Sequence, residues 1–422
     1  MNAILFPLVA LFSGLSIILI GNGLLGTLLG VQAVSLEFPL EVTGIVMSSY
    51  FAGFILGSLY GVHLIERAGH IRTFAALGSI ASAASLVYLL FESPLAWAIL
   101  RAITGFCFAG LYMVSESWLN ERSDNANRGR VLSIYMMVNL ASLGAGQLLL
   151  LLPHPGGFEL FCIASILIAL GLVPVTLTSS SAPTPQRAKP MAVLSLYRTS
   201  PLSMAGCLVS GLALGAFWSM APVFCRMLGF SNGETAIFML VTVLGGLALL
   251  WPLGSLSDRL DRRSVITLLC GTSGIASLSI ALFAGDSVLV LFGLAFVFGG
   301  FVFPVYSVSV AHANDFLDAD NLVSASSTLL LVYGAGAILG PVIAGLAMGW
   351  LDAGGLYLWI SGVMGAIVLF AFYRMKVRPS VPVEEQKAVV LMPRTTHVAY
   401  ELDPRTDSAD SAPETPSAAS VP

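Results

Sequence analysis

The residue in this 422-residue chain with most to explain is an arginine inside an apolar run. Arg101 stands about a third of the way into the stretch 95–117, followed by Gly105 and Ala109 at spacing four. A guanidinium keeps its charge, so inside hydrocarbon it must face a partner or a wet cavity, or else snorkel to the outer surface. Facing a cavity, it could hold the charged group of a solute. Glu116, near the other end of the same stretch, could take up and release a proton. It could equally pair with Arg72, Arg128 or Arg130, since that end lies close to water. Asn22, Asn139 and Gln147 bring hydrogen-bonding groups into apolar stretches, where they either line a solute cavity or bond between helices. Trp218, Tyr306 and Tyr333, with Tyr50, are aromatic candidates for the same wall, or else packing groups and interfacial anchors.

Bond-making chemistry is not indicated. His63, His70, His154, His312 and His397 are scattered, and none pairs with another at ligand spacing. The five cysteines, Cys107, Cys162, Cys207, Cys225 and Cys270, lie in or at the ends of apolar runs, with no CxxC pattern. No metal, cofactor or nucleic-acid partner is therefore expected, and the chain does not read as an enzyme. A GxxxxGKS loop is absent, so ATP is not the expected energy source.

The elements that position these residues are set by composition. Hydrophobic residues make up 57% of the chain and charged ones 10%, against ~25% charged in soluble domains. A helix needs ~20 apolar residues to cross ~30 Å of hydrocarbon. Twelve such stretches fall near 6–30, 42–62, 73–91, 95–117, 131–152, 158–178, 201–225, 235–256, 264–284, 287–312, 324–350 and 355–374. The first has no Lys or Arg ahead of it, runs too long for a signal core and lacks a clear cleavage site, so it reads as a retained helix. With the amino terminus inside, only Arg101 and Arg226 of the 19 Lys and Arg fall elsewhere than in cytoplasmic segments. That bias predicts both termini in the cytoplasm, and the net charge of −4 does not weaken it because acids have little influence on orientation.

The stretches form two sixes. A basic hairpin between the second and third, GVHLIERAGHIR from Gly61 to Arg72, recurs between the eighth and ninth as GSLSDRLDRR from Gly254 to Arg263. An offset near 192 lays Glu66-Arg67 on Asp258-Arg259. Such internal repeats mark duplicated bundles that rock about a site near the bilayer midplane. The expected organisation is an all-α membrane protein: a first bundle over 1–178, a cytoplasmic linker over 179–200, a second bundle over 201–378 and a tail over 379–422. Around Met191 to Tyr197 the linker could form a short interfacial helix. The tail, rich in Pro, Ser, Ala and acids, is expected to be disordered. Small-residue rows, Gly53, Gly57 and Gly61 on the second stretch and Gly336, Gly340 and Gly345 on the eleventh, would line the seam between bundles.

The hairpins resemble the loop signature of the major facilitator superfamily, the twelve-helix secondary transporters. The second copy keeps Gly254, Leu256, Asp258, Arg259, Arg262 and Arg263, with Asp261 in place of the usual second glycine. The first keeps Arg67 and Gly69, but has Glu66 for aspartate, Gly61 one position early and His70 at a basic position. The resemblance implies a cytoplasmic gate of Glu66, Arg67, Arg72, Asp258, Arg259, Arg262 and Arg263. In it Glu66 would meet the start of the eleventh crossing near Ser326 and Ser327, and Asp258 the start of the fifth. Ordinary positive-inside charge is the alternative for each hairpin taken singly. Arg101 followed by Gly105 resembles a second family pattern, whose arginine faces the central cavity. Gly144, Gly146 and Gln147 stand where many proton-driven antiporters carry a Gly-Pro pair, which counts against a drug antiporter. SSYFAGFILGSLYG, SESWLN, NRGRVLSIYMMVNLASLGAGQLL and YGAGAILGP look like the YcaD-like branch of bacterial members.

The function expected is secondary transport of a small solute by alternating access, as a monomer in a bacterial inner membrane, with protons as a candidate coupling ion. Facilitated uniport or drug efflux are the alternatives within transport, and a membrane-embedded sensor or receptor is the alternative outside it. Duplicated hairpins favour the transporter.

Overall fold

The computed structural model describes residues 2–123, 127–153, 157–177, 190–285, 287–318, 321–387 and 389–403. The first six long helices are α1 (Asn2–Ser35), α2 (Leu40–Ala68), α3 (His70–Val87), α4 (Pro94–Arg122), α5 (Arg128–Leu148) and α6 (Glu159–Thr176). After the short α7 (Val193–Thr199) come α8 (Pro201–Met227), α9 (Asn232–Ser257) and α10 (Arg262–Leu282). They are followed by α11 (Val288–Val302), α12 (Val305–Asn314), α13 (Leu322–Leu351) and α14 (Gly355–Val377). The α11–α12 pair is one crossing, broken where Pro304 cannot donate a helical N–H. Among the described residues these helices make twelve crossings, and no strand occurs.

Eleven of the crossings are long and apolar enough to span a bilayer. The twelfth, α3, carries His70, Arg72 and a run of Ser, Ala and Gly, and packs between α4 and α6. Several helices run past the apolar stretch that announces them: α2 continues to Ala68, and Gly69 at φ 83° then turns the chain into α3. That left-handed conformation suits glycine. In the second hairpin Asp261 takes the place of glycine because it caps α10, accepting from the Arg263 amide at 3.0 Å.

Lipid tails give no hydrophobic drive for helix association, so close backbone contact must hold each bundle. A Cβ at Gly53 would overlap the carbonyl of Ala102, and one at Gly105 the carbonyl of Tyr50, so α2 and α4 cross closely. Gly245 and Gly299 do the same for α9 and α11, and positions 53 and 245 stand 192 apart. The bundles are therefore repeated in their internal contacts. This corrects the expectation for the glycine rows. Gly53 and Gly57 face α4, Gly336 and Gly340 face α8, and of the six only Gly345 reaches across to the other bundle, against Leu40.

We call the side carrying the two hairpins the hairpin face and the opposite side the distal face. Towards the distal face the bundles touch directly. Ser48 donates to the Ile338 carbonyl at 2.6 Å, Gly44 meets Pro341, and Gly30 meets Pro222. Towards the hairpin face the tail lies between them. Residues 383–402 hold two 3-10 turns, Val383–Glu385 and His397–Leu402, and Met392, Val398, Tyr400 and Leu402 are buried. This part of the tail is ordered, contrary to the expectation for 379–422. Its apolar residues are concentrated between Val389 and Leu402, whereas the Ser, Pro and acid content that suggests disorder is weighted beyond. Residues 404–422 lie outside the described part, as do residue 178 and 179–189 of the linker. From Val193 the linker forms α7, whose Val193, Leu194 and Tyr197 are exposed.

Candidate functional site

A cavity of about 200 Å³ lies between the bundles, walled by α1, α2, α4 and α5 from one side and α8 and α13 from the other. Pro94 opens α4 at its first turn, and two turns further on Arg101 reaches the cavity. The glycine four residues later explains its setting. Because Gly105 has no side chain, the backbone of α2 approaches α4 at Tyr50, and the Tyr50 ring lies over the guanidinium at 4.4 Å from carbon to centroid. Arg101 is 6% exposed. Among the described residues it has no carboxylate partner, and its Nε makes no hydrogen bond. A cation so placed offers its remaining donors to whatever enters the cavity.

Asn22, Asn139, Trp218 and Tyr333 line the same cavity. Gln147 does not. Its Oε1 accepts from Thr27, and its Nε2 donates to the carbonyls of Gly23 at 3.1 Å and Leu143 at 3.0 Å, so it ties α1 to α5. Tyr306 also stands off the wall. Its ring packs on Tyr333 with centroids 5.1 Å apart, and its hydroxyl bonds the hydroxyl of Tyr400 in the tail.

Glu116 is fully buried, and its partners are not the arginines expected for it. It accepts from the Tyr135 hydroxyl at 2.7 Å and from the hydroxyls of Thr395 and Thr396. Its position one to two turns short of the end of α4 holds it away from the basic loop. Thr395 also lines the cavity, so Glu116 sits just behind the wall.

In the second hairpin the residues expected to form a gate hold the tail. Asp258 accepts from the Val389 amide at 2.7 Å. Arg262, 1% exposed, pairs with Asp315 at 2.8 Å, donates to the Lys387 carbonyl, and lies 4.0 Å from Asp258. Arg263 grips Asp261 through Nε and Nη2 and donates to the Arg378 carbonyl at 2.7 Å. Burial works against the Asp261 carboxylate, yet the Arg263 side chain and amide hold it below its usual range. Arg259 is exposed, as are Glu66, Arg67 and Arg72 of the first hairpin. Asp258 thus meets the tail in place of the start of α5.

The tail is what sequence reasoning missed. Pro393, Arg394 and Thr395 close the hairpin-face end of the cavity, and Arg394 lies over the Phe303 ring at 5.2 Å. Arg101 and Arg394 are the two charged residues of the wall among those described. Further along, Asn120 donates to Glu401 at 2.9 Å. Burial pushes the Glu401 carboxyl up to about 7, against the pull of Asn120 and Arg128, and burial lowers the His397 imidazole. A run of apolar residues followed by Arg-Thr-Thr was the available signal.

Twin bundles around a charged cavity are matched by sequence comparison. Residues 11–317 and 252–405 match the family model of the Major Facilitator Superfamily. The chain belongs to the major facilitator superfamily. Within it the chain is similar to YcaD-like members. It is 28% identical over 362 residues to an uncharacterized MFS-type transporter YcaD of Escherichia fergusonii, covering 85% of this chain and 93% of the relative. It is 29% identical over 370 residues to YcaD of Salmonella heidelberg, with the same two coverages. Among solved structures it resembles a point mutant of the nucleoside transporter NupG with a TM-score of 0.72 at 17% identity, covering 87% of this chain and 99% of that one. A bacterial homolog of the human lysosomal transporter Spinster, inward-facing and occupied, gives 0.70 at 15% identity, covering 90% and 97%. The protein is a multi-pass membrane transporter of a family of bacterial carriers, and not an enzyme.

Proposed function

We propose that this transporter carries a small solute bearing a negatively charged group, by alternating access around the cavity at Arg101. The observation that carries the reading is Arg101 itself, a buried guanidinium facing the cavity without a carboxylate partner among the described residues. A charge at mid-helix costs about 2.5–3.5 kcal/mol on insertion scales, and such residues mark substrate pathways. The wall holds basic but no acidic side chains among the described residues, and Tyr50, Trp218 and Tyr333 give it aromatic faces. An acid with a flat or apolar body fits that chemistry, and so does a zwitterion.

The excess of Lys and Arg on the hairpin side supports a cytoplasmic hairpin face with both termini inside, in an inner membrane. Direct contact between the bundles at the distal face, with the tail lying between them at the hairpin face, supports a conformation closed to the outside. In the opposite state the hairpin acids and arginines would hold the cytoplasmic gate shut. Glu116, which shares Thr395 with the cavity wall, is the residue we assign to proton coupling.

The test is flux into proteoliposomes of a panel of labelled carboxylates, organic phosphates, neutral solutes and amines. Wild-type protein should move acids and discriminate against amines. Losing a charged partner typically costs 2–5 kcal/mol, so Arg101→Ala should lower the flux ratio by about a hundredfold, and Arg101→Lys should recover part of it. Equal flux in Arg101→Ala would remove the assignment. A flux indifferent to pH gradients, or an unchanged gradient response in Glu116→Gln, would remove the coupling role.

A further inference from the structure

Among the described residues, the tail is the element that joins both bundles at the hairpin face and also enters the cavity. Its seat is built residue by residue. From the first bundle, Glu116 takes the hydroxyls of Thr395 and Thr396, and Asn120 donates to Glu401. From the second, Ser307 donates to the Met392 carbonyl at 3.2 Å, Tyr306 bonds Tyr400, and Asp258 takes the Val389 amide. Lys387 anchors the approach, its ammonium donating to the Leu317 carbonyl at 2.7 Å and its amide to Asp315 at 3.2 Å. Between these points Met392, Val398 and Leu402 are no more than 1% exposed.

We propose that residues 389–403 are a built-in occupant of the hairpin-face vestibule: seated, they supply Arg394 to the solute site and block the exit, and they unseat to let solute pass at that face. The inference rests on the cavity being the solute site. Two features argue for a removable plug over a fixed part of the fold. First, the polar part of the seat consists of single hydrogen bonds from hydroxyls, amides and an ammonium to carboxylates and backbone carbonyls, each of which water can replace. Second, the segment grips both halves, and halves that rock cannot keep all these contacts in both states. With the tail seated the site offers two guanidinium groups, and with the tail out it offers Arg101 alone. Seating would therefore change the charge that the site prefers as well as its access.

Thiol labelling tests this without any solute. Ser58 lines the cavity and is 7% exposed, so Ser58→Cys in the full chain, with the unsubstituted chain as background, reports access. The probes are two membrane-impermeant methanethiosulfonates, one carrying a sulfonate and one a trimethylammonium group, applied separately to each face. Replacing Thr395 and Thr396 by valine should raise labelling from the hairpin face about tenfold and leave the distal rate unchanged. A parallel rise at both faces would mean a loosened bundle and would overturn the proposal, as would no rise at all. Arg394→Ala should leave the tail seated and access slow, but reduce the sulfonate-to-ammonium rate ratio about fivefold. The valine pair should show the same reduced ratio, because its Arg394 has left the site. A ratio unchanged in either variant would contradict the two-guanidinium site. Failure here leaves Arg101 untouched, whereas failure of the Arg101 flux test leaves the labelling result standing.

Discussion

The two ends of the seam are closed by different means. At the distal face backbone meets backbone, Gly44 against Pro341 and Gly345 against Leu40, and the Ser48 hydroxyl donates to the Ile338 carbonyl. At the hairpin face the bundles are bridged by a third party, the tail, through hydroxyls, an amide and a tyrosine pair. Direct packing of small residues has no substitute in lipid, so the distal closure opens only when whole helices move apart. A strand of tail can leave while the helices stay in place. One chain thus contains a gate made by bundle motion and a gate that can be opened locally.

The sharpest way to break this contrast is to wedge the distal end. A valine at position 44 would collide with the Pro341 carbonyl. Overpacking costs about 1–3 kcal/mol, so Gly44→Val should shift the population towards distal opening. Labelling of Ser58→Cys from the distal face should rise about ten- to a hundredfold, with little change at the hairpin face. A rise at both faces would erase the difference between the two gates.

A single bond in the tail seat should matter less. Tyr400→Phe removes the hydroxyl shared with Tyr306, a bond worth about 1 kcal/mol, and hairpin-face labelling should rise about fivefold. No change at the distal face is expected.

Proton linkage through the tail's own titratable groups should be smaller still, and Glu401 and His397 oppose one another in it. Glu401 titrates near 7 when seated between Asn120 and Arg128, above its ordinary 4.5. Its seated form holds the extra proton, so its help to docking is complete below about pH 4.5 and fades as pH rises towards 7. Burial lowers His397 from 6.5, so its docking cost is nil above about pH 6.5 and grows as pH falls. In His397→Asn, raising the pH from 5 to 8 should raise the ratio of hairpin-face to distal-face labelling a few-fold, a ratio in which the pH dependence of the thiolate cancels. In Glu401→Gln, lowering the pH over that range should raise the same ratio. Parallel responses in the two variants would contradict the assignment.

The smallest effect is expected away from both gates. Asp261→Ala removes the α10 cap and the Arg263 grip at a cost of about 1 kcal/mol. A thermal-unfolding shift of a few degrees, with both labelling rates intact, is the outcome predicted.

What the sequence made legible follows from what is local. Each crossing declares itself within its own ~20 residues, the hairpin repeat needs only an offset, and Arg101 stands out because charge in an apolar run is costly. Contacts between distant positions are another matter. Glu116 finds Thr395 across 279 positions, and nothing near either residue announces the other. The glycine rows say that some backbone comes close without saying which, so they pointed to the seam while most of them hold a bundle together. Gln147 looked like a cavity residue because its partners, Thr27 and Gly23, lie in another crossing. The composition of the tail averaged an apolar half with a polar one and so hid the part that folds.

The most direct test of the central claim is an untargeted comparison of solutes inside and outside cells that lack the protein, carry it, or carry Arg101→Ala. We expect at least one acidic solute to redistribute with the wild-type protein and to return to the protein-free distribution with Arg101→Ala. A redistribution confined to cations, or one that Arg101→Ala reproduces in full, would contradict the account.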